Sequence, residues 1–427
     1  MHSFTAVLRF FYIITLARYN PYSTHIDPYD KMDNRLNKRA EIQERIGAYN
    51  MQKVLHLLNY LGNGGSEKYI YSLAKKLHGS SCEFHIAYSV DGPGKSAFEE
   101  LGISLIQLRM RSPFDLKAAF ELKKLCSRLS IDTIHTHFLR ENYIAILSKI
   151  AGNKVSIINT RHMLFENTKG VALANRFFTR FNSSIIAVSR HVMDRLVEEG
   201  ISRSKIALIY NGVEPEQWSG PALQDFRKEL GLSEDEVVIT SVSRFSPEKG
   251  HDFIIDMIRY MKDNADKLGL SGKKYRFILA GSGPLHEQIV KKAGSYGLET
   301  DILFTGYANN VRDLLKASDI FIAHSSSEAL GIAILEAMAS GLPVVTTDSG
   351  GTSEIVNSQE QDGILVDYGN VQAFAQAVAS LINDAELRKS YAEKGLQIVR
   401  ERFSLDKTAN ETYNLYVTNA KGVSNDR

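Results

Sequence analysis

The chain has 427 residues, 44% hydrophobic and 23% charged, which is the mix of a folded soluble protein with length for two to three domains. Two cysteines, Cys82 and Cys126, exclude a disulfide framework and a four-cysteine zinc site and fit a reducing, cytoplasmic compartment. The net charge of +2 hides an asymmetry: residues 51–217 carry 22 basic and 15 acidic side chains, a net of +7, and residues 218–427 carry −7.

A basic half suggests an anionic partner such as a lipid surface or a phosphorylated substrate, although solvated charges scattered over a surface would read the same way. Residues 1–50 read as an extension. Phe10–Ala17 is apolar but short, well under the roughly 20 residues that span a bilayer, and a polar stretch from Asn20 to Asp33 follows. This extension is expected to be poorly ordered or to lie in a membrane interface.

From Met51 onward, short apolar runs alternate with helical patterns. The predicted strands of the first half are Val54–Tyr60, Phe84–Ser89, Ser104–Leu108, Thr133–His137, Ser156–Asn159, Ile185–Val188 and Ile206–Tyr210. Those of the second half are Val237–Val242, Phe277–Ala280, Ile302–Thr305, Ile320–Ala323, Val344–Thr346 and Ile364–Val366. The runs are rich in Val and Ile and mostly lack alternation, as strands buried on both faces should. Both halves therefore read as doubly wound parallel sheets, an α/β architecture of two Rossmann-like domains facing a central cleft. The break falls near Asn211–Trp218, where Asn-Gly and Glu-Pro supply turn chemistry.

Three loops carry candidate chemistry. Gly62-Asn63-Gly64-Gly65-Ser66-Glu67 follows the first strand and opens a helix, so the backbone can approach an anionic ligand, though a tight turn capped by Ser66 would look alike. A dinucleotide site is weaker here, because the spaced glycines of that pattern are missing. Arg244-Phe245-Ser246-Pro247-Glu248-Lys249-Gly250 ends the first strand of the second half. Its two cations suit a diphosphate, Arg as a fork and Lys as a mobile point charge. Glu328-Ala329-Leu330-Gly331-Ile332-Ala333-Ile334-Leu335-Glu336 runs from a loop into a helix, and Gly331 leaves bare amides at its start. Glu328 and Glu336 cannot hold a phosphate, but they can accept hydrogen bonds from sugar hydroxyls on either side of one.

With these residues the sequence resembles the family-four retaining glycosyltransferases of the GT-B fold. The likeness runs from Met51 to Tyr416 through Gly64-Gly65-Ser66-Glu67, His162, Asn211-Gly212-Val213, Ser243-Arg244, Pro247-Glu248-Lys249-Gly250, Gly281-Ser282-Gly283-Pro284, Thr305-Gly306 and the Glu328/Glu336 pair. The resemblance implies an acceptor-side domain over residues 51–215, a nucleotide-sugar domain over 216–405 and a helix over 406–427 that crosses back to the first domain. It implies that Arg244 and Lys249 bind the donor diphosphate, Glu336 the ribose, and Glu328 the transferred sugar. Gly64, Gly65, Gly281, Gly283, Thr305, Gly306, Gly331 and Ile332 join them in the donor site. His162 would lie beside the reacting carbon. His137 and Asn142, with Arg140 in the same loop, are assigned to the acceptor side. His135 and His137 alternate along one strand, so at most one of them is expected to point the way His162 does.

The implied reaction moves a hexose or N-acetylhexosamine from a nucleoside diphosphate, UDP by default, to a hydroxyl, with retention and with no metal or other cofactor. The expected partners are the nucleotide sugar, a glycan or lipid-linked acceptor and an anionic membrane surface, with no nucleic acid. A sugar-nucleotide epimerase of the same fold and a non-catalytic nucleotide-sugar-binding protein are the alternatives.

Overall fold

The computed structural model describes residues 51–163 and 169–424. The extension expected over residues 1–50 lies outside them. All thirteen predicted strands form. In the first domain they are β1 (Gln52–Tyr60), β2 (Cys82–Val90), β3 (Ser104–Gln107), β4 (Thr133–Thr136), β5 (Ser156–Arg161), β6 (Ser184–Ala187) and β7 (Ile206–Leu208). In the second they are β8 (Val237–Val242), β9 (Tyr275–Ala280), β10 (Ile302–Gly306), β11 (Ile320–Ala323), β12 (Val344–Asp348) and β13 (Ile364–Asp367).

The first sheet runs β3-β2-β1-β4-β5-β6-β7 and the second β10-β9-β8-β11-β12-β13. Every pairing is parallel. Helices cover both faces, which is why a strand such as Val54–Leu58 is buried at every residue and shows no polar alternation. Both sheets have the doubly wound order of Rossmann-like domains.

The strand order fixes where ligands can bind. In the first sheet the winding reverses between β1 and β4, and in the second between β8 and β11. At such a switch point neighbouring loops diverge to opposite faces and leave a crevice outside the strand carboxyl ends. The loops leaving those four strands begin at Leu61, His137, Ser243 and His324. Most of the candidate residues sit on them or on the helices they open.

The two domains share apolar packing. Val188, Val192 and Leu196 of the first join Leu335, Met338 and Val356 of the second in one buried cluster. The chain crosses between domains twice, and the crossings hold each other: Val213 N donates to Phe403 O at 3.0 Å and Leu405 N to Val213 O at 2.9 Å. The last helix, Leu405–Ser424, then packs against the first domain. Its Tyr416 is fully buried against Phe84, and the carbonyl of its Asn419 accepts from Ser156 Oγ at 3.0 Å.

Candidate functional site

The loop after β8 carries Arg244 and Lys249. Its backbone is braced from two sides: Phe245 N donates to Ser282 O at 3.0 Å, and Ser326 N donates to Glu248 O at 2.8 Å. The loops after β8, β9 and β11 therefore form one rigid unit. Arg244 is largely exposed and its guanidinium donates to Glu248 Oε1 at 2.9 Å. Burial pushes the Glu248 carboxyl up, but hydrogen bonds from Ser246 and Arg244 outweigh it and hold the group at about 2.

Lys249 Nζ lies 2.6 Å from Glu328 Oε2, and both side chains are about four-fifths covered. Gly331 stands beside this pair at φ 110°, a left-handed conformation, and opens the helix Ile332–Ala339 with no side-chain cap. Its first amides are thus available to a ligand. A small cavity of about 30 Å³ is lined by Lys249, Glu328, Gly331, Ser241 and His324. Two of the sequence-predicted site residues that are 79 positions apart meet here as an ion pair.

A larger cleft of about 480 Å³ opens between the domains, with Lys68 and Tyr69 on the first-domain side and Tyr307, Asn309, Ile332 and Glu336 on the second. Burial raises the Glu336 carboxyl and the nearby Lys68 ammonium opposes that shift, so Glu336 faces a cation from the other domain. Tyr307 to Val311 contribute to this wall, while Thr305 and Gly306, expected in the donor site, end β10 just before it. Gly306 O accepts from Gly281 N at 2.7 Å. Gly281 and Gly283 pack beneath Arg244 and Phe245, where any side chain would collide with backbone oxygens of Ser243 and Phe245. Gly64 caps and Gly65 begins the helix Gly65–Leu77, whose Ser66 hydroxyl donates to Glu67 and caps nothing.

His162 follows β5 and is half-buried; burial lowers its imidazole to about 4. His137 Nδ1 lies 3.0 Å from His162 Nε2. Two acceptor-side expectations are corrected. His137 is 2% exposed, so it stands behind His162 and cannot meet an acceptor directly. Asn142 is 1% exposed and lies in the helix Leu139–Ile150, not in a loop. Its amide is spent on Asn182 and Thr136 inside the first domain. Arg140, in the same helix, donates to Asn59 Oδ1 at 2.8 Å. His135 also points into the histidine group, since the strand has ended by His137 and strict alternation no longer applies. Lys68 and His56 escaped the sequence reading. A lysine in the first turn after a glycine-rich loop is a signal that could have found Lys68; nothing local marks His56.

Burial drives several imidazoles down: His56 and His251 to about 3, His162 and His324 to about 4. The unfolded chain takes up these protons near the ordinary value of about 6.5, whereas the folded protein resists them until the pH is far lower. Stability is therefore complete above about pH 6.5 and falls as the pH drops toward the folded values, by up to about 1.4 kcal/mol per pH unit for each such histidine. We expect the urea midpoint to fall steeply between about pH 7 and pH 5. A flat profile over that range would refute neutral burial of these rings.

Comparison with known proteins fits this geometry. Residues 63–217 match the family described as Glycosyltransferase Family 4, and residues 224–397 match Glycosyl transferases group 1, one family on each domain. The chain is a family-four glycosyltransferase. It is 26% identical over 325 residues to N-acetyl-alpha-D-glucosaminyl L-malate synthase of Bacillus anthracis, covering 75% of this chain and 83% of that one. It is 26% identical over 323 residues to the UDP-Gal:alpha-D-GlcNAc-diphosphoundecaprenol alpha-1,3-galactosyltransferase of Escherichia coli, covering 71% and 79%. In fold it is similar to Anabaena HepE crystallised with UDP and glucose, at a TM-score of 0.75, 21% identity and coverage of 85% and 99%. The two facing Rossmann-like sheets are thus those of a GT-B glycosyltransferase. No described helix is long and apolar enough to cross a membrane.

Proposed function

We propose that this glycosyltransferase moves a hexose or N-acetylhexosamine from a UDP-sugar to a hydroxyl of a lipid-linked or cell-envelope glycan, with retention and without a metal ion. The observation that carries the reading is the Lys249–Glu328 pair beside the uncapped amides at Gly331. In it a cation, a hydroxyl-binding carboxylate and a helix amino terminus converge on one small cavity at a switch point. In the proposed reaction the bond from the anomeric carbon to the diphosphate breaks as the acceptor oxygen bonds the same face. The departing phosphate oxygen takes the acceptor's proton. Arg244, Lys249 and the helix amides neutralise the charge that grows on the leaving diphosphate, the kind of aid worth about 10²–10³ in rate per donor. Glu336 accepts from the ribose, Glu328 from the transferred sugar, and His162 stands beside it. The Escherichia coli relative is named for a UDP-sugar donor and a diphosphoundecaprenol-linked acceptor, which favours the same classes here.

Melting with UDP, GDP, ADP and NAD, followed by turnover in excess chelator, tests this. A single nucleoside diphosphate at a hundredfold its dissociation constant should stabilise by about 2.7 kcal/mol, and turnover should survive the chelator. A shift with NAD alone, or strict dependence on added Mn or Mg, would overturn the reading.

A lipid-linked acceptor requires access to a membrane, and the first domain has a surface suited to it. Phe114, in the loop just before the helix Leu116–Leu129, packs on Phe178 at the end of the helix Lys169–Phe178. Leu116 and Phe120 of the first helix and Leu173 and Phe177 of the second are exposed, and exposed Arg111, Lys117, Arg176 and Arg180 lie on these helices or within a few residues of their ends in sequence. Exposed apolar side chains interspersed with cations along these segments match an anionic headgroup layer. Binding to anionic vesicles is expected at low salt and should be lost with Phe120→Glu plus Lys117→Glu; no binding at low salt would remove the membrane from the proposal.

A further inference from the structure

Behind His162 lies a row of imidazoles that none of the assigned steps uses. β1 and β4 are neighbours, and His56 of β1 is the register partner of His135 of β4. His56 Nδ1 lies 3.0 Å from His137 Nε2, and His137 Nδ1 lies 3.0 Å from His162 Nε2. Successive rings are stacked at 17° and 19°. Tyr69 closes over the row edge-on, its ring centre 4.9 Å from that of His162.

Each link needs one N–H and one lone pair, and a neutral imidazole has one of each. Burial keeps all three rings neutral near pH 7. The protons of the row must then all point toward His162 or all away from it. The far end decides between these. His56 is fully buried, and its Nε2 has no protein partner among the described residues. With the protons pointing away from His162, that nitrogen would be a buried N–H with nothing to receive it. With them pointing toward His162, it is only an idle lone pair, the cheaper of the two defects.

We propose that His56 and His137 are positioning residues that fix His162 as its Nδ1–H tautomer, so that His162 meets its ligand as a neutral hydrogen-bond donor. Its other nitrogen is spent on His137. His162 therefore donates to an oxygen of the bound sugar and takes no proton from the acceptor, which deepens the proposed reaction and rests on its placement of His162. His135 belongs to a second set of contacts, with its nitrogens 2.7 Å from Tyr416 Oη and from Thr160 Oγ1. Those contacts tie the row's flank to the last helix. They also argue against a metal at His56, His135 and His137, whose nitrogens otherwise lie close enough together to hold an ion.

The test is the tautomer itself, read from long-range proton–nitrogen correlations in the histidine-labelled full chain, with His162 assigned by its loss in His162→Gln. The wild type should show His162 protonated on Nδ1. His137→Phe keeps a ring but offers no N–H, and it should release that preference and lower kcat on the order of ten- to a hundredfold with donor KM unchanged. His137→Asn, whose amide nitrogen can stand in for Nδ1, should restore both. An Nε2–H tautomer in the wild type overturns the proposal. So do equal losses in the Phe and Asn variants with the tautomer unmoved, and stoichiometric zinc bound by the purified protein. If His137→Phe does not fold, the wild-type spectrum and His56→Phe decide instead. Full turnover by His162→Ala would refute the catalytic placement of His162 without touching the tautomer result, so the two ideas fail separately.

Discussion

Glu328→Gln is expected to lose transfer by about two to three orders of magnitude while binding UDP as tightly as the wild type, or more tightly. The reason is the pair that Glu328 makes before any donor arrives. Its carboxylate holds the Lys249 ammonium at 2.6 Å. A diphosphate entering the cavity must draw Lys249 toward itself, and the carboxylate resists both by competing for the cation and by repelling the anion. Glutamine keeps the shape, removes the charge and frees Lys249. UDP, which has no transferred sugar, should gain from this. For the complete donor, the charged, two-oxygen acceptor of its sugar hydroxyls becomes a neutral amide with a single acceptor oxygen, so turnover falls.

Lys249→Ala should do the reverse, weakening UDP by on the order of ten- to a hundredfold as a charge-assisted contact is lost. Arg244→Ala should follow it, because its exposed guanidinium is held by Glu248 alone among acidic partners within the described residues. The pattern is the test. If Glu328→Gln weakened UDP as much as Lys249→Ala does, Glu328 would be holding Lys249 in place rather than competing for it. If all three variants kept wild-type turnover, the assignment of this cavity would be falsified.

Much of the fold was readable because its strands are buried on both faces. A run such as Val237–Val242 is apolar or β-branched at every position but the small Ser241, and its observed limits match the reading residue for residue. Strand ends were read less well, as in β5, which extends to Arg161 because two more residues pair with β6 than the apolar run suggested. The candidate site was readable where glycines and charges stand together in one loop. It was not readable where contacts join distant segments. Lys249 and Glu328 are 79 residues apart, and their pairing follows from β8 and β11 being neighbours. His56 and His137 are 81 apart and meet because β1 lies beside β4. Asn142 misled for the complementary reason. A polar residue after a strand reads as a surface group, yet Asn182, 40 residues later, supplies the partner that lets it stay buried.

Gly281→Ala is expected to destabilise the second domain by about 2–5 kcal/mol and to weaken UDP binding, although residue 281 needs no contact with the nucleotide. The loop after β9 lies against the backbone that carries Arg244, with Ser243 N donating to Ala280 O and Phe245 N to Ser282 O, both at 3.0 Å. A Cβ on residue 281 would fall 1.9 Å from the carbonyl oxygen of Ser243, and the φ of 143° is one that side-chain-bearing residues rarely adopt. Neither obstacle is a flexible side chain that could turn aside. The backbone from Ser243 to Phe245 must move, and Arg244 and Lys249 move with it. Gly297 separates this packing cost from simple left-handed strain, since its φ is 65° and nothing lies within 4 Å of its would-be Cβ. Gly297→Ala should therefore cost only about 1–2 kcal/mol and leave UDP affinity intact. Urea unfolding and UDP titration of the two variants side by side decide the matter. Equal losses would mean that the close approach under Ser243 does not set the geometry of the cationic loop.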